Sequence, residues 1–253
     1  LSPTVVNTEP VRRGLRRDAI VQSLLGDIFH GRLQAGQHLV TQELADRFGV
    51  SHTPIREALI ALGGIGLLTL QPNRGAIVRQ ISAREVREVC RVRRALECEA
   101  IRGACGRIPV KALSALEREF IKLQSPHLRG GAKLVARARE LDSELHDLIA
   151  HSANNTFLIH ELNRLKLLFR AFRDVAWEYD SARNGYHRLS EEAREHGAIA
   201  QALLRGDRQA AIQAMSGHIR SGMSYWSQAL PQVDSKSPRR LALTNLPPAS
   251  EVR

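Results

Sequence analysis

Four side chains in the second half of the chain are spaced so that they could converge on one ion. Asp142 and His146 stand four residues apart, so on a helix they share a face. His196 lies 10 residues before Gly206, and His218 lies 11 after Asp207. At a rise of about 1.5 Å per residue both are about 15 to 16 Å from the turn, so an antiparallel helical hairpin hinged at Gly206 sets them level. Ile199 and Leu203 on one arm, with Ile212, Met215 and Ile219 on the other, give both histidines an inward phase. A carboxylate with three neutral imidazoles suits a divalent transition metal, and helical bundles build such sites from facing helices. Spacing also leaves a second reading open: the chain has 10 histidines, and separate capping or surface roles would account for these.

The elements that must hold these residues read as helical from residue 82 onward. Ser82 to Glu85 forms a capping box opening a helix to about Gly106, and Pro109 opens another to about Leu123. Further helices are expected near 133–151, 155–179, 191–204 and 207–229, with breaks at Asn154-Asn155, Asn184-Gly185 and Arg205-Gly206-Asp207. Asp207 is the expected N-cap of the last.

Ahead of this bundle, Ile20, Leu24, Leu25 and Ile28 recur at helical spacing over 15–29. Thr41 can cap a short helix ending near Gly49. Ser51 or Thr53 can cap a third, with Pro54 in its first turn, running to about Leu62. Two helices joined by a short glycine-containing turn form a helix-turn-helix, whose second helix can enter a DNA major groove. The runs 67–70 and 76–78 flank a turn at 71–75 and read as a β-hairpin. The expected chain is therefore mostly α: a winged helix-turn-helix with a small β-hairpin wing over 15–80, then an all-α antiparallel helical bundle over 81–230. Residues 1–14 and 231–253 are expected to be mobile tails.

Composition narrows the alternatives. Of 253 residues, 43% are hydrophobic and 25% charged, which excludes wholesale disorder and collagen-like repetition. The longest uncharged apolar stretch, 58–70, has 13 residues, short of the ~20 that span a bilayer. No apolar core follows Arg12-Arg13 and Arg16-Arg17, so no secretory signal is read there and a cytoplasmic location is expected. Cys90, Cys98 and Cys105 are too far apart along one helix to pair. The net charge of +11 invites a polyanion, yet residues 1–80 carry only +3 of it. Placement of charge, not its total, must carry any nucleic-acid argument.

Placement is informative. The run Gly31 to Leu39, then Glu43-Leu44-Ala45, Phe48 through Leu59, Gly66-Leu67 and Asn73-Arg74-Gly75 together resemble the DNA-binding domain of the GntR transcriptional regulators. The resemblance implies that Ser51, His52, Thr53 and Arg56 face bases and phosphates of double-stranded DNA. It places Arg74 and Gly75 at a wing tip reaching the minor groove, and Gln42 at a phosphate. Where the family usually has Arg, this chain has His52, which cannot make the bidentate contact of a guanidinium with guanine; a different operator or weaker binding is expected.

Residues 84–226 resemble the FCD effector domain of the FadR subfamily of these regulators. The carrying motifs are Val92 to Glu97, Leu141 to Ala150, Glu195 to Ile199, Gly206-Asp207, Ala210, Met215 and His218-Ile219. The metal-binding branch of that family uses an Asp and three His, which implies Asp142, His146, His196 and His218 as ligands, with Zn or Ni as the expected metal. Leu145 stands where the family usually has Phe. Arg93 matches a pocket position suited to a carboxylate, against the alternative of an ion pair with Glu97 at i+4; Arg170 and Arg173 could line the same cavity. The expected protein is a homodimeric regulator, a repressor and not an enzyme. It reads a roughly palindromic operator and is switched by a small carboxylic acid at a metal-containing pocket. The alternatives are a regulator for which the metal is itself the signal, and a metalloenzyme.

Overall fold

The computed structural model of the chain describes residues 9–29, 32–79, 83–124, 131–166, 168 and 186–229. They fall into two compact units that divide between residues 81 and 82.

The first unit contains α1 (Glu9–Phe29), β1 (His38–Leu39), α2 (Thr41–Phe48), α3 (His52–Gly64), β2 (Leu68–Gln71) and β3 (Gly75–Val78). Ile20, Val21, Leu24 and Leu25 form the buried stripe of α1, and it packs on α3 through Ile55, Ala58, Leu59 and Leu62. Asp27, buried at the end of α1, pairs with Arg32 (2.7 Å) and Arg47 (2.6 Å), tying α1 to the loop after it and to α2.

Several boundaries differ from the sequence reading. Helix α1 begins at Glu9, so part of the expected 1–14 tail is helical. Thr41 is not a cap: Val40 holds the N-cap position with no side-chain hydrogen bond, and its carbonyl accepts from the Leu44 N–H. Ser51 is the N-cap of α3, again without a side-chain bond, and α3 runs on to Gly64. The wing is one strand larger than a hairpin, because β1 pairs antiparallel with β3 to give the order β1-β3-β2.

Gly75 explains how β1 can sit so close. Its φ is +99°, and a Cβ there would lie 1.9 Å from the Leu39 carbonyl oxygen. Left-handed backbone alone costs a side chain about 1 to 2 kcal/mol, and the clash adds to it. Gly75→Ala is therefore expected to destabilise the protein by about 2 kcal/mol or more, read as a lower urea midpoint; an unchanged midpoint would mean that β1 can withdraw freely.

The second unit is all helical: α4 (Ala83–Ala104), α5 (Val110–Lys122), α6 (Gly131–Ser152), a helical stretch α7 over 156–166, α8 (His187–Leu204) and α9 (Arg208–Ala229). Helix α4 packs on α9 and α6, and α8 packs on α9 and α5. Asn155 caps α7 by accepting from the Leu158 N–H (3.0 Å), and Asp207 caps α9 by accepting from the Ala210 N–H (2.9 Å). Gly206, at φ +68°, lets α8 fold back directly into α9. Cys90 and Cys98 are buried and Cys105 partly so, all as free thiols. The expected Ser82 capping box, the 184–185 break and the 231–253 tail lie outside the described residues. Among the described residues no helix is long and apolar enough to cross a membrane.

Candidate metal centre and recognition surface

The α8–α9 hairpin brings His196 and His218 to a ring separation of 4.3 Å. Helix α6 supplies Asp142 and His146 one turn apart, and the His146 ring lies 5.6 Å from that of His196 and 5.5 Å from that of His218. One ligand atom from each of the four residues falls within 4.8 Å of every other. His196 and His218 are buried. Phe120 of α5 closes one side at 5.1 Å from the His196 ring.

Burial disfavours charge on His196, and the neighbouring His218 adds to it; together they outweigh the pull of Asp142 and hold the His196 pKa well below the ordinary value. His218 is pushed down in the same way, by burial and then by His146. Both imidazoles are thus held neutral, the form with a lone pair to give. His196 Nε2 lies 3.4 Å from Asp142 Oδ1, yet it is a buried nitrogen with no hydrogen-bond partner. Leaving such a group unmatched costs about 1 to 3 kcal/mol, and a bound cation would satisfy it. Three imidazoles, one carboxylate and an orphaned nitrogen fit a divalent transition metal.

Two carboxylates stand behind the histidines. His146 Nδ1 lies 3.0 Å from Glu97 Oε1, and Arg93 approaches both, with Nε 3.3 Å from Glu97 Oε1 and Nη2 3.2 Å from His146 Nε2. Burial works against the Glu97 charge, but His146 and then Arg93 outweigh it and hold the carboxyl down at about 2. On the other side His218 Nδ1 donates to Glu195 Oε2 at 2.8 Å. A cavity of about 50 Å³ opens beside the cluster, with Arg93, Asp142, His146, Lys166, His218 and Trp226 in its wall. Arg93 therefore does both things the sequence allowed: it pairs with Glu97 and it lines the cavity, lying 5.5 Å over the Trp226 ring.

Arg170 and Arg173 lie outside the described residues. His151, His160 and His187 are exposed and none of them lines the cavity. Sequence reasoning missed Lys166, which pairs with Asp147, as well as Trp226 and the buried Arg188. No local spacing signals them.

In the first unit, Ser51, His52, Thr53, Arg56 and Arg74 are all exposed. His52 and Arg56 share a groove between α3 and the β2–β3 turn with Gln42, Ile60, Arg74 and Gly75. Gln42 donates through Nε2 to Asp46 Oδ1 at 2.8 Å. Its Oε1 is left to accept from His52 Nε2 at 2.7 Å, so its amide is committed within α2 and α3.

The FCD domain family matches residues 88–221, and the family described as bacterial regulatory proteins, gntR family, matches residues 16–78. The HTH-type transcriptional repressor RspR of Escherichia coli (strain K12) is 29% identical over 219 residues, 87% of this chain and 88% of that protein. BphR of Paraburkholderia xenovorans (strain LB400), described as an uncharacterized HTH-type transcriptional regulator, is 26% identical over 211 residues, 82% of this chain and 83% of that one. Among solved structures, E. coli McbR/YncC shares the fold with a TM-score of 0.62 at 21% identity, over 84% of this chain and 97% of that chain.

Proposed function

The chain belongs to the gntR family of bacterial regulatory proteins and carries an FCD domain, and from that premise we propose a metal-dependent, ligand-responsive repressor. The relatives named above are transcriptional regulators, and the chain is one. In this reading Ser51, His52, Thr53, Arg56, Arg74 and Gly75 meet operator DNA, and Gln42 shapes the surface by holding His52. Two such surfaces, one from each copy of a homodimer, read a roughly palindromic operator. Asp142, His146, His196 and His218 hold Zn or Ni, and a small carboxylic acid binds in the adjoining cavity beside Arg93. Repression is the mode named for RspR.

The observation that carries the metal-dependent part is the ligand cluster with its unmatched His196 nitrogen, set against a cavity that has a guanidinium in its wall. When bound, the ion would supply a fixed positive charge and open coordination positions for an anion. The chain's own contribution is to keep His196 and His218 neutral and to present Arg93 to that anion. Arg93 is a donor only, so the His146 Nε2 lone pair that it meets at 3.2 Å must be released for that nitrogen to hold the ion.

The size of the cavity favours a second reading beside the first. About 50 Å³ of room beside the cluster is ample for an ion, and an ion alone would complete the donor set without any organic ligand. Operator binding measured on chelator-stripped, metal-loaded, and metal-plus-acid samples separates the two. A change in operator affinity of 5-fold or more on adding a carboxylic acid to metal-loaded protein supports the effector reading. A change of that size with metal alone, and none with any acid, makes the ion the signal and overturns the carboxylate effector.

A further inference from the structure

Among the acidic groups near the cluster, Glu195 is placed to control one of its histidines. It precedes His196 on α8, but its side chain reaches across to α9, where Oε2 lies 2.8 Å from His218 Nδ1. A carboxylate at neutral pH only accepts, so the nitrogen facing it must carry the proton. In a neutral imidazole the other nitrogen, Nε2, then holds the lone pair. An imidazole free in water favours the opposite, Nε2–H tautomer, so the choice here is made by the partner.

Glu195 is itself held. Its other oxygen, Oε1, lies 3.4 Å from Arg188 Nη1, two helical turns earlier on α8. Arg188 is buried, and its Nη1 donates to Ser221 Oγ on α9 at 2.8 Å while its Nε donates to Glu192 Oε1 at 3.0 Å. The guanidinium also lies 5.1 Å over the Tyr225 ring. The chain Ser221, Arg188, Glu195, His218 thus closes on α9, with its two ends three residues apart. His146 differs: its Nδ1 lies 3.0 Å from Glu97 Oε1 but makes no hydrogen bond there.

We propose that Glu195, anchored by Arg188, is the positioning residue of the metal centre: it fixes His218 as the Nδ1–H tautomer and turns its Nε2 lone pair to the ion. This rests on the metal reading above. Carboxylates that orient ligand histidines in this way raise ligand basicity and fix ring orientation, and losing one weakens metal binding by about 10- to 100-fold.

The test uses the full chain as wild type, Glu195→Ala and Glu195→Gln. Titration of Zn²⁺ or Ni²⁺ into stripped protein is expected to show the Ala variant binding about 10- to 100-fold more weakly. The Gln variant, whose amide oxygen can still accept from Nδ1–H, should recover most of that loss. Its NH2 then stands where Oε1 met Arg188, which keeps Glu192 and Ser221 as acceptors, so the Gln variant leaves Arg188 paired and tests the proposal even if the Ala variant does not fold. Long-range ¹H–¹⁵N spectra of the stripped protein read the tautomer without any metal: His218 should be the Nδ1–H form in wild type and Glu195→Gln. Wild-type His218 in the Nε2–H form, or equal metal affinity in all three proteins, overturns the proposal. Failure of wild type to bind either ion, with the Nδ1–H tautomer intact, sinks the metal reading and with it the role of Glu195 toward an ion.

Discussion

Stripping the purified protein with a chelator is expected to lower its melting temperature by about 10 °C, with recovery on adding Zn²⁺ or Ni²⁺. The size follows from mass action. A ligand that binds only the folded state, present at about 1,000 times its Kd, contributes about 4 kcal/mol, and for a protein of this length each kcal/mol moves the midpoint by about 2 to 4 °C. The folded chain has the four donors already assembled within 4.8 Å, so little of the binding energy goes into gathering them.

The same geometry makes a sharper demand on His196. Its Nε2 is buried and unmatched, and its imidazole is kept neutral against the pull of Asp142. In the stripped protein this residue is a liability. His196→Leu should therefore leave the stripped protein as stable as wild type or more stable by about 1 kcal/mol, while abolishing the response to metal. Ordinary core truncation would lower stability in both states. A metal-induced shift that survives His196→Leu, or a wild-type midpoint indifferent to chelator, would remove the metal centre from the account.

The histidine geometry was legible because helices are stiff rulers. A rise of about 1.5 Å per residue and a tight Gly206 turn bring residues 196 and 218 level whatever else the bundle does, and i,i+4 spacing does the same for Asp142 and His146. Spacing could not choose among the acidic residues behind them. Glu195 meets His218 across 23 residues of sequence; the helical ruler sets it level with His218 but does not say that its side chain crosses to α9, which depends on how α8 is rotated about its axis. The first unit has a similar boundary. The helix-turn-helix shows in its turn residues, but β1 is two residues long, too short for alternation to show. Its pairing with β3 continues into α2 through Val40, whose carbonyl starts the helix before the Thr41 hydroxyl can cap it.

Replacing both Arg56 and Arg74 with Ala is expected to weaken operator binding by about 100-fold at 0.15 M salt, with metal affinity unchanged. Each arginine is exposed, one on α3 and one on the β2–β3 turn, and the two line one groove. The surrounding unit is sparing with positive charge: residues 1–80 hold nine Arg and no Lys. Asp27 takes up Arg32 and Arg47 in ion pairs. Arg74 is the one of the two placed at phosphate in this reading, so the double variant should lower the salt slope by about one. The two substitutions should also differ singly. In the proposed reading Arg56, on α3, meets base edges, so its loss should relax preference at one position of the half-site; Arg74, on the wing, should weaken all sequences about equally. An operator affinity within 3-fold of wild type in the double variant would mean that DNA is met by another face of this unit.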